Sequence, residues 1–184
     1  MTTAVLALQG AFAEHERMLA RLGEPCVELR DEGDLQLPFE RLVLCGGEST
    51  TQRKLLVQRG MLVPLRQRIR AGMPVLATCA GLILLAEEVE GGLPTFATLP
   101  ATAVRNAYGR QLASFHARAA FAGLGEVPMS FIRAPYLREV HGDAQVLAQV
   151  QGRIVAARCG AQLACAFHPE LDGSTRIHEL FLEL

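Results

Sequence analysis

The sequence has no block of basic residues, since its 18 Lys and Arg are spread along 184 residues and balanced by 19 Asp and Glu. A nucleic-acid-binding surface needs an accumulation of positive charge, so we expect no nucleic-acid partner. Long apolar runs are also absent. The longest uncharged run, residues 71–86, contains Gly72, Pro74 and Gly81 and is shorter than the roughly 20 apolar residues of a membrane span. We therefore expect no membrane partner.

Regularly spaced cysteines are missing as well. The five cysteines are odd in number and irregular in spacing, which does not fit a disulfide framework. No group of histidines and cysteines has zinc-ligand spacing, so we expect no metal. The first ten residues, MTTAVLALQG, lack the positive charge that begins a signal peptide. Together these features predict a reduced, cytoplasmic protein.

Apolar and helix-like segments alternate through the first half of the chain. Residues 3–8, 25–29, 42–45 and 75–78 are typical of buried strands, and helical spacing of apolar residues follows the first, third and fourth. This alternation predicts an α/β fold, with a parallel sheet and helices on both faces. The second half carries short strand-like runs and a closing helix over residues 173–184. No repeat or linker interrupts the chain, so we predict a single domain over residues 1–184.

Cys79 lies between the apolar run Val75–Thr78 and a helix predicted over residues 81–87. A reactive side chain on a tight strand-to-helix turn is the nucleophile-elbow arrangement. The helix that follows offers free N–H groups and a partial positive charge, which lower a thiol pKa from about 8.5. The small neighbours Ala80 and Gly81 let a substrate approach the backbone. A buried cysteine packed as a small hydrophobic residue fits the same local pattern.

His168 is the histidine best placed to act as the base of such a nucleophile. It follows an apolar strand-like run at the carboxyl end, where open α/β sheets bind ligands. Pro169 favours extended backbone before it, and Glu170 is two residues on, so the two side chains can project together. The carboxylate would then orient the imidazole, as the third member of a catalytic triad does. A strand-end histidine beside a surface carboxylate is the alternative.

A glycine pair, Gly46-Gly47, follows the third predicted strand within the segment CGGEST, and Ser49 or Thr50 is predicted to cap the next helix. Glycines permit positive φ and a close backbone approach. Attack on an amide needs N–H donors for the oxyanion, and Gly47 and Ala80 form the natural pair. An ordinary strand-to-helix turn would also use glycines.

Arg105 and Arg133 stand in loop-like contexts among apolar neighbours. Arginine suits carboxylate recognition because its guanidinium is forked. Solvation at the surface, or an ordinary ion pair, accounts for such arginines equally well.

Taken together, these residues resemble class I, triad-type glutamine amidotransferases, and specifically the glutaminase subunits of pyridoxal 5′-phosphate synthase. The resemblance runs in order along nearly the whole chain. Its segments are LQGA (8–11) with EH (14–15), GGESTT (46–51), TCAGLI (78–83), RN (105–106) with GRQ (109–111) and SF (114–115), FIRAP (131–135) and FHPEL (167–171). The chain departs from the usual pattern at Val104, Ala107 and Tyr108, and at Cys45, where the family has proline.

This resemblance implies a three-layer, open, mostly parallel sheet with helices on both faces. It implies hydrolysis of L-glutamine to L-glutamate and ammonia by Cys79, His168 and Glu170, with the oxyanion held by the N–H groups of Gly47 and Ala80. Ammonia would pass to a barrel-shaped, oligomeric synthase subunit that contacts Gln9 and Gly10. No metal or cofactor is implied. Glutamine would be bound by Gly46, Gly47, Glu48, Arg105, Ile132 and Arg133.

Three other functions remain open on the sequence. A cysteine-based stress or redox protein on a similar sheet would explain the elbow, but it would not require the segment His168-Pro169-Glu170. A non-catalytic regulatory subunit would keep the fold without turnover. A sister amidotransferase of another pathway would share the chemistry with a different acceptor.

Overall fold

The computed structural model describes residues 1–105 and 114–184. Within them, twelve strands form one sheet, and five α-helices and two 3₁₀ helices accompany it. The strands are β1 (Thr3–Leu6), β2 (Cys26–Leu29), β3 (Arg41–Leu44), β4 (Val75–Thr78), β5 (Ala86–Glu90), β6 (Leu99–Val104), β7 (Ser114–Phe121), β8 (Gly125–Ile132), β9 (Tyr136–Val140), β10 (Gln145–Val150), β11 (Arg153–Cys159) and β12 (Gln162–Cys165). The helices are α1 (Phe12–Arg21), α2 (Ser49–Gln58), α3 (Leu62–Arg70), α4 (Ala80–Leu85) and α5 (Arg176–Leu182), with 3₁₀ turns at Glu32–Gln36 and Pro169–Leu171.

The strands that carry the predicted site form the parallel part of the sheet, in the order β2-β1-β3-β4-β12. β1, β3 and β4 are buried along their whole length, as their apolar sequences predict. Because parallel strands end at the same edge, the segments after β1, β3, β4 and β12 meet there. This edge brings together residues that are up to 160 positions apart in sequence.

The remainder of the sheet is mostly antiparallel. From β12 it continues through β11, β10, β7 and β8, while β9 joins β11 to β6, and β5 pairs with β6 in parallel. The predicted α/β fold with a parallel sheet is therefore confirmed, and the short strands of the second half extend it as a mixed sheet.

Helices cover both faces of the sheet. α1 and α5 meet through the rings of His15 and His178, while α2 packs against α3 and α4. Aliphatic side chains of the strands and five fully buried phenylalanines fill the space between the layers: Phe96, Phe121, Phe131, Phe167 and Phe181. No helix in the described ranges is both long enough and apolar enough to cross a lipid bilayer.

Several predicted boundaries differ from the structure. The helix expected over residues 81–87 ends at Leu85, because Ala86–Glu90 pairs with β6 instead. β9 was not predicted. The cap of α2 is Glu48, whose carboxylate accepts from the Thr51 N–H, rather than Ser49 or Thr50. β7 is described from Ser114, and Asn106, Ala107, Tyr108 and the segment GRQ lie outside the described residues.

Candidate active site

Cys79 occupies the turn between β4 and α4 with strained backbone angles, φ 49° and ψ −102°. Its N–H donates to the Cys165 carbonyl at 2.8 Å, which ties the turn to β12. A side chain at Gly81 would stand 2.1 Å from the Leu44 carbonyl oxygen, so only glycine lets α4 begin this close to β3. The predicted elbow is therefore present, and positive φ at a non-glycine residue is the strain expected of one.

His168 and Glu170 lie immediately after β12, at the same edge of the sheet. His168 Nδ1 is 2.7 Å from Glu170 Oε1, and its backbone N–H donates to the Ser130 carbonyl at 2.8 Å. The expected extended backbone is wrong for Glu170, because Pro169–Leu171 forms a 3₁₀ turn with proline at its first position. The turn still brings the carboxylate under the imidazole.

The Asp172 side chain fixes this turn to β8. Its carboxylate accepts from the Ser130 N–H at 3.0 Å and from the Ser130 hydroxyl, which also contacts His116 Nδ1 at 2.8 Å. His168 is thus held by Ser130 through its backbone N–H and by Glu170 through its imidazole.

His168 and Glu170 have shifted pKa values. Burial lowers the pKa of His168, but hydrogen bonds to Cys79 and Glu170 outweigh it and raise the pKa to about 10. Burial raises the pKa of Glu170, yet His15 and the His168 hydrogen bond more than offset this and hold the pKa below its usual value. At neutral pH the pair is an imidazolium and a carboxylate, with Cys79 on the far side of the ring.

The other four cysteines lie in strands or directly after one. Burial raises the pKa of each thiol, to about 12 for Cys45. Cys45 also points away from the cleft, since its sulfur lies 3.5 Å from the Leu6 carbonyl and 3.6 Å from that of Gln9. These four thiols are therefore protonated at neutral pH.

The Gly46-Gly47 turn lies against both His168 and the segment after β1. A side chain at Gly46 would stand 2.4 Å from His168 Cε1. The Gly46 carbonyl accepts from the Ala11 N–H at 3.0 Å, and the Gln9 side chain accepts from the Glu48 N–H at 2.7 Å. The segment after β1 therefore holds the glycine turn by hydrogen bonds on both sides.

Arg105 reaches this turn from the end of β6. Its guanidinium lies 3.2 Å from Glu48 Oε1 and 3.1 Å from the Thr50 hydroxyl. Arg133 follows β8 with φ 44°, and the Ile132 carbonyl lies 3.9 Å from Cys79 Sγ. Arg105 and Arg133 both line the cleft that contains Cys79.

A cleft of about 400 Å³ opens over Cys79. Every predicted site residue except Glu170 lines it, and Glu170 is buried beneath His168. Sequence reasoning missed four lining residues: Ala11 and Ser49 adjoin predicted residues, Ile83 is one helical turn from Cys79, and Pro135 is two residues after Arg133. The cleft is lined by Gln9, Gly10, Ala11, Gly46, Gly47, Glu48, Ser49, Cys79, Ala80, Ile83, Arg105, Ile132, Arg133, Pro135 and His168.

Two buried histidines to which the sequence assigns no role lie behind Glu170. His15 and His178 are fully buried, and His15 Nε2 lies 3.3 Å from Glu170 Oε2. Local pattern gave no signal for them, because they belong to α1 and α5. Across the described ranges, no group of three or more His, Cys, Asp or Glu side chains is arranged to hold a metal ion.

The fold is that of a glutamine amidotransferase. A crystal structure described by that name superposes with a TM-score of 0.93 at 41% identity, over 98% of this chain and 97% of that one. A model of the SNO glutamine amidotransferase family matches residues 5–184, and the chain belongs to that family.

Curated relatives align with this chain from end to end. A protein named pyridoxal 5′-phosphate synthase subunit PdxT from Desulfitobacterium hafniense is 55% identical over all of this chain and 92% of its own length. One of the same name from Methanocorpusculum labreanum is 54% identical over all of this chain and 97% of its own length.

Proposed function

We propose that this chain is the glutaminase subunit of a pyridoxal 5′-phosphate synthase, hydrolysing L-glutamine to L-glutamate and ammonia. One observation carries the proposal: His168 bridges Cys79 and a buried carboxylate at the floor of a cleft that the glycine turn and two arginines border. Full-length relatives that bear the synthase-subunit name support the pathway.

In the proposed reaction, Cys79 attacks the side-chain carboxamide carbon of glutamine as a thiolate, its proton being held by the His168 imidazolium. The imidazolium of His168 donates its proton to the departing nitrogen, and ammonia leaves. A glutamyl thioester remains on Cys79. His168 then takes a proton from water, which attacks the thioester and releases glutamate. Glu170 orients the ring and supports its positive charge in both halves of the reaction.

The oxyanion of each tetrahedral intermediate requires two donors. We assign the N–H groups of Gly47 and Ala80, which flank the nucleophile in the cleft. The glycine turn, with Glu48, Arg105, Ile132 and Arg133, forms the rest of the glutamine site. The paired charges of Glu48 and Arg105 suit the ammonium and carboxylate groups of an amino acid.

Gln9 and Gly10 stand at the rim of this cleft and hold the glycine turn from behind. We assign them to the contact with a barrel-shaped synthase subunit, which would receive the ammonia. A subunit docked there would act on the Gly46-Gly47 turn through the Ala11–Gly46 and Gln9–Glu48 hydrogen bonds. We also infer a cytoplasmic location, because all five cysteines are free thiols.

A glutaminase assay with and without the cognate synthase subunit tests the proposal. We expect glutamate release in the mixture, and its loss in Cys79→Ala with the fold intact by circular dichroism. Glu170→Gln should lower kcat by about tenfold or more, but less than Cys79→Ala does.

The same assay separates the alternatives. No glutamate from the wild type beside a competent synthase would indicate a regulatory subunit. Unchanged function in His168→Ala, with Cys79 still oxidisable, would favour a redox protein. Glutamate release that no synthase subunit stimulates would point to another acceptor pathway.

A further inference from the structure

Glu170 has two carboxylate oxygens, and the triad accounts for only one. Oε1 accepts from His168 Nδ1, whereas Oε2 is buried and has no aligned hydrogen-bond donor among the described residues. His15 Nε2 is 3.3 Å from Oε2 and 3.1 Å from the Thr78 hydroxyl oxygen. An unpaired carboxylate oxygen in a dry site is costly, so the group that faces it matters for the charge of Glu170.

Behind His15 stands a second buried histidine. His15 Nδ1 lies 3.0 Å from His178 Nε2, and both rings are fully buried between α1 and α5. A continuous line of side chains therefore runs from the nucleophile into the core: Cys79, His168, Glu170, His15 and His178. His15 and His178 do not line the cleft.

Both histidines are neutral. Burial is the largest effect on His15 and lowers its pKa, and the nearby His168 lowers it as well. Glu170 and Glu14 act in the opposite direction but do not offset the burial. Burial and His15 lower the pKa of His178 to about 3, while Glu170 acts in the opposite direction. Each ring therefore carries one N–H, and the neighbours decide which nitrogen holds it.

Two observations select the same tautomers. A lone pair on His15 Nε2 would face the Glu170 carboxylate at 3.3 Å, which is repulsive, so the proton belongs on Nε2. His15 Nδ1 then accepts from His178 Nε2. Independently, His178 Nδ1 is buried with no hydrogen-bond partner among the residues that the structure describes, and an unpaired acceptor is better tolerated there than an unpaired N–H. The His178 N–H therefore faces His15, and the His15 N–H lies on the side of Thr78 and Glu170.

We propose that His15 and His178 are positioning residues: the His15 N–H stands beside the free oxygen of Glu170, His178 orients His15, and together they keep Glu170 ionised and turned toward His168. The proposal rests on Glu170 acting in the triad. His15 acts directly on Oε2, and His178 fixes the tautomer of His15. Thr78 shares the His15 N–H and holds the ring beside the carboxylate.

The test compares His15→Leu, which removes the donor, with His15→Gln, whose amide can place a donor near the same point. In the complex with the synthase subunit, His15→Leu should lower kcat about tenfold or more with KM nearly unchanged, because His15 lies outside the glutamine cleft. Burial would then raise the pKa of Glu170, so the acid limb of the pH profile should move upward. His15→Gln should restore most of both.

His178→Leu should give the same shift more weakly, and adding it to His15→Leu should cause no further change. Leu19→Val, a buried change one turn further along α1, should affect stability alone. If His15→Leu does not fold, His178→Leu and His15→Gln carry the test through the same pH profile.

Wild-type turnover with an unshifted profile in folded His15→Leu, or equal losses in the leucine and glutamine variants, would overturn the positioning role. Absence of turnover in the wild type with a competent synthase would instead overturn the proposed function.

Discussion

Cys79 differs from the other four cysteines in both backbone and surroundings. It alone stands on the strained turn at the cleft, whereas the others lie in or beside strands with raised pKa values. We predict that a glutamine-like electrophile such as a diazo-ketone labels Cys79 only, as read by peptide mass spectrometry. Equal labelling of Cys45 would contradict the assignment, and Cys79→Ala provides the unlabelled control.

The charge of His168 depends on its two hydrogen-bond partners. Its pKa, about 10, should fall in Cys79→Ala and in Glu170→Gln, because burial then acts with less opposition. NMR titration of the imidazole measures the shift, and Cys26→Ala in β2 should leave it unchanged.

The raised pKa also makes stability depend on pH. The folded value lies above the unfolded value of about 6.5. The contribution of His168 to the free energy of unfolding is therefore complete below about pH 6.5 and is lost as the pH rises through about 10. In urea unfolding, the free energy of unfolding of the wild type minus that of His168→Gln should become smaller as the pH rises. A difference that grows with pH would contradict this prediction.

Among single residues, the sequence predicted contacts between side chains that are close in the chain as well as in space. His168 and Glu170 are two residues apart, and Cys79 carries its own turn pattern, so the three were found. His15 and His178 are separated by 163 residues and meet only because α1 and α5 pack together. No local pattern can report such a contact.

The glycine turn after β3 is packed so closely against His168 that it has no space for a side chain at Gly46. A methyl group at Gly46 would overlap the His168 ring at 2.4 Å and lie 3.4 Å from Cys79 Cβ. We predict that Gly46→Ala lowers kcat/KM by about 100-fold, the effect of a misplaced catalytic group. Gly33→Ala, remote from the site, should remain near wild type, and normal turnover in Gly46→Ala would show that His168 can move aside.

The predicted ends of helices and strands were wrong where pairing between distant strands outweighed the local sequence pattern. Leu82–Leu85 continues apolar into Ala86, which favours helix, but the chain there gains backbone hydrogen bonds by pairing with β6. β9 follows Pro135 and includes Arg138 and Glu139, so its polar half concealed it. The parallel strands were predicted well because burial on both faces makes them continuously apolar.

In the whole molecule, the Gly46-Gly47 turn, which we propose holds the oxyanion, is hydrogen-bonded to the segment that we expect to contact the partner. We predict that the isolated chain has low glutaminase activity and that saturating synthase subunit raises it at least about tenfold, within the range of one oxyanion donor. Full activity of the isolated chain, unchanged by the synthase, would contradict this and direct attention to Cys45, where the family has proline.

Gln9→Ala is the better probe of that coupling, since it removes the acceptor for the Glu48 N–H. It should reduce the stimulation more than it reduces stability. Gly10→Ala would disturb the loop directly, because Gly10 has φ 110° and its added methyl would stand 1.9 Å from the Gly46 carbonyl oxygen. The stimulated and unstimulated rates of both variants distinguish these effects.

The backbone of Cys79 has a consequence for how this sequence can drift. A non-glycine residue at φ 49° costs of order 1–3 kcal/mol, and this cost is present in every folded molecule, with or without glutamine. Glycine at position 79 would relieve it, so the substitution that best suits the turn is one that removes the sulfur. Selection for stability and selection for chemistry therefore act in opposite directions at position 79. In a lineage that no longer needs the ammonia, replacement of Cys79 by glycine would inactivate the chain and stabilise its fold.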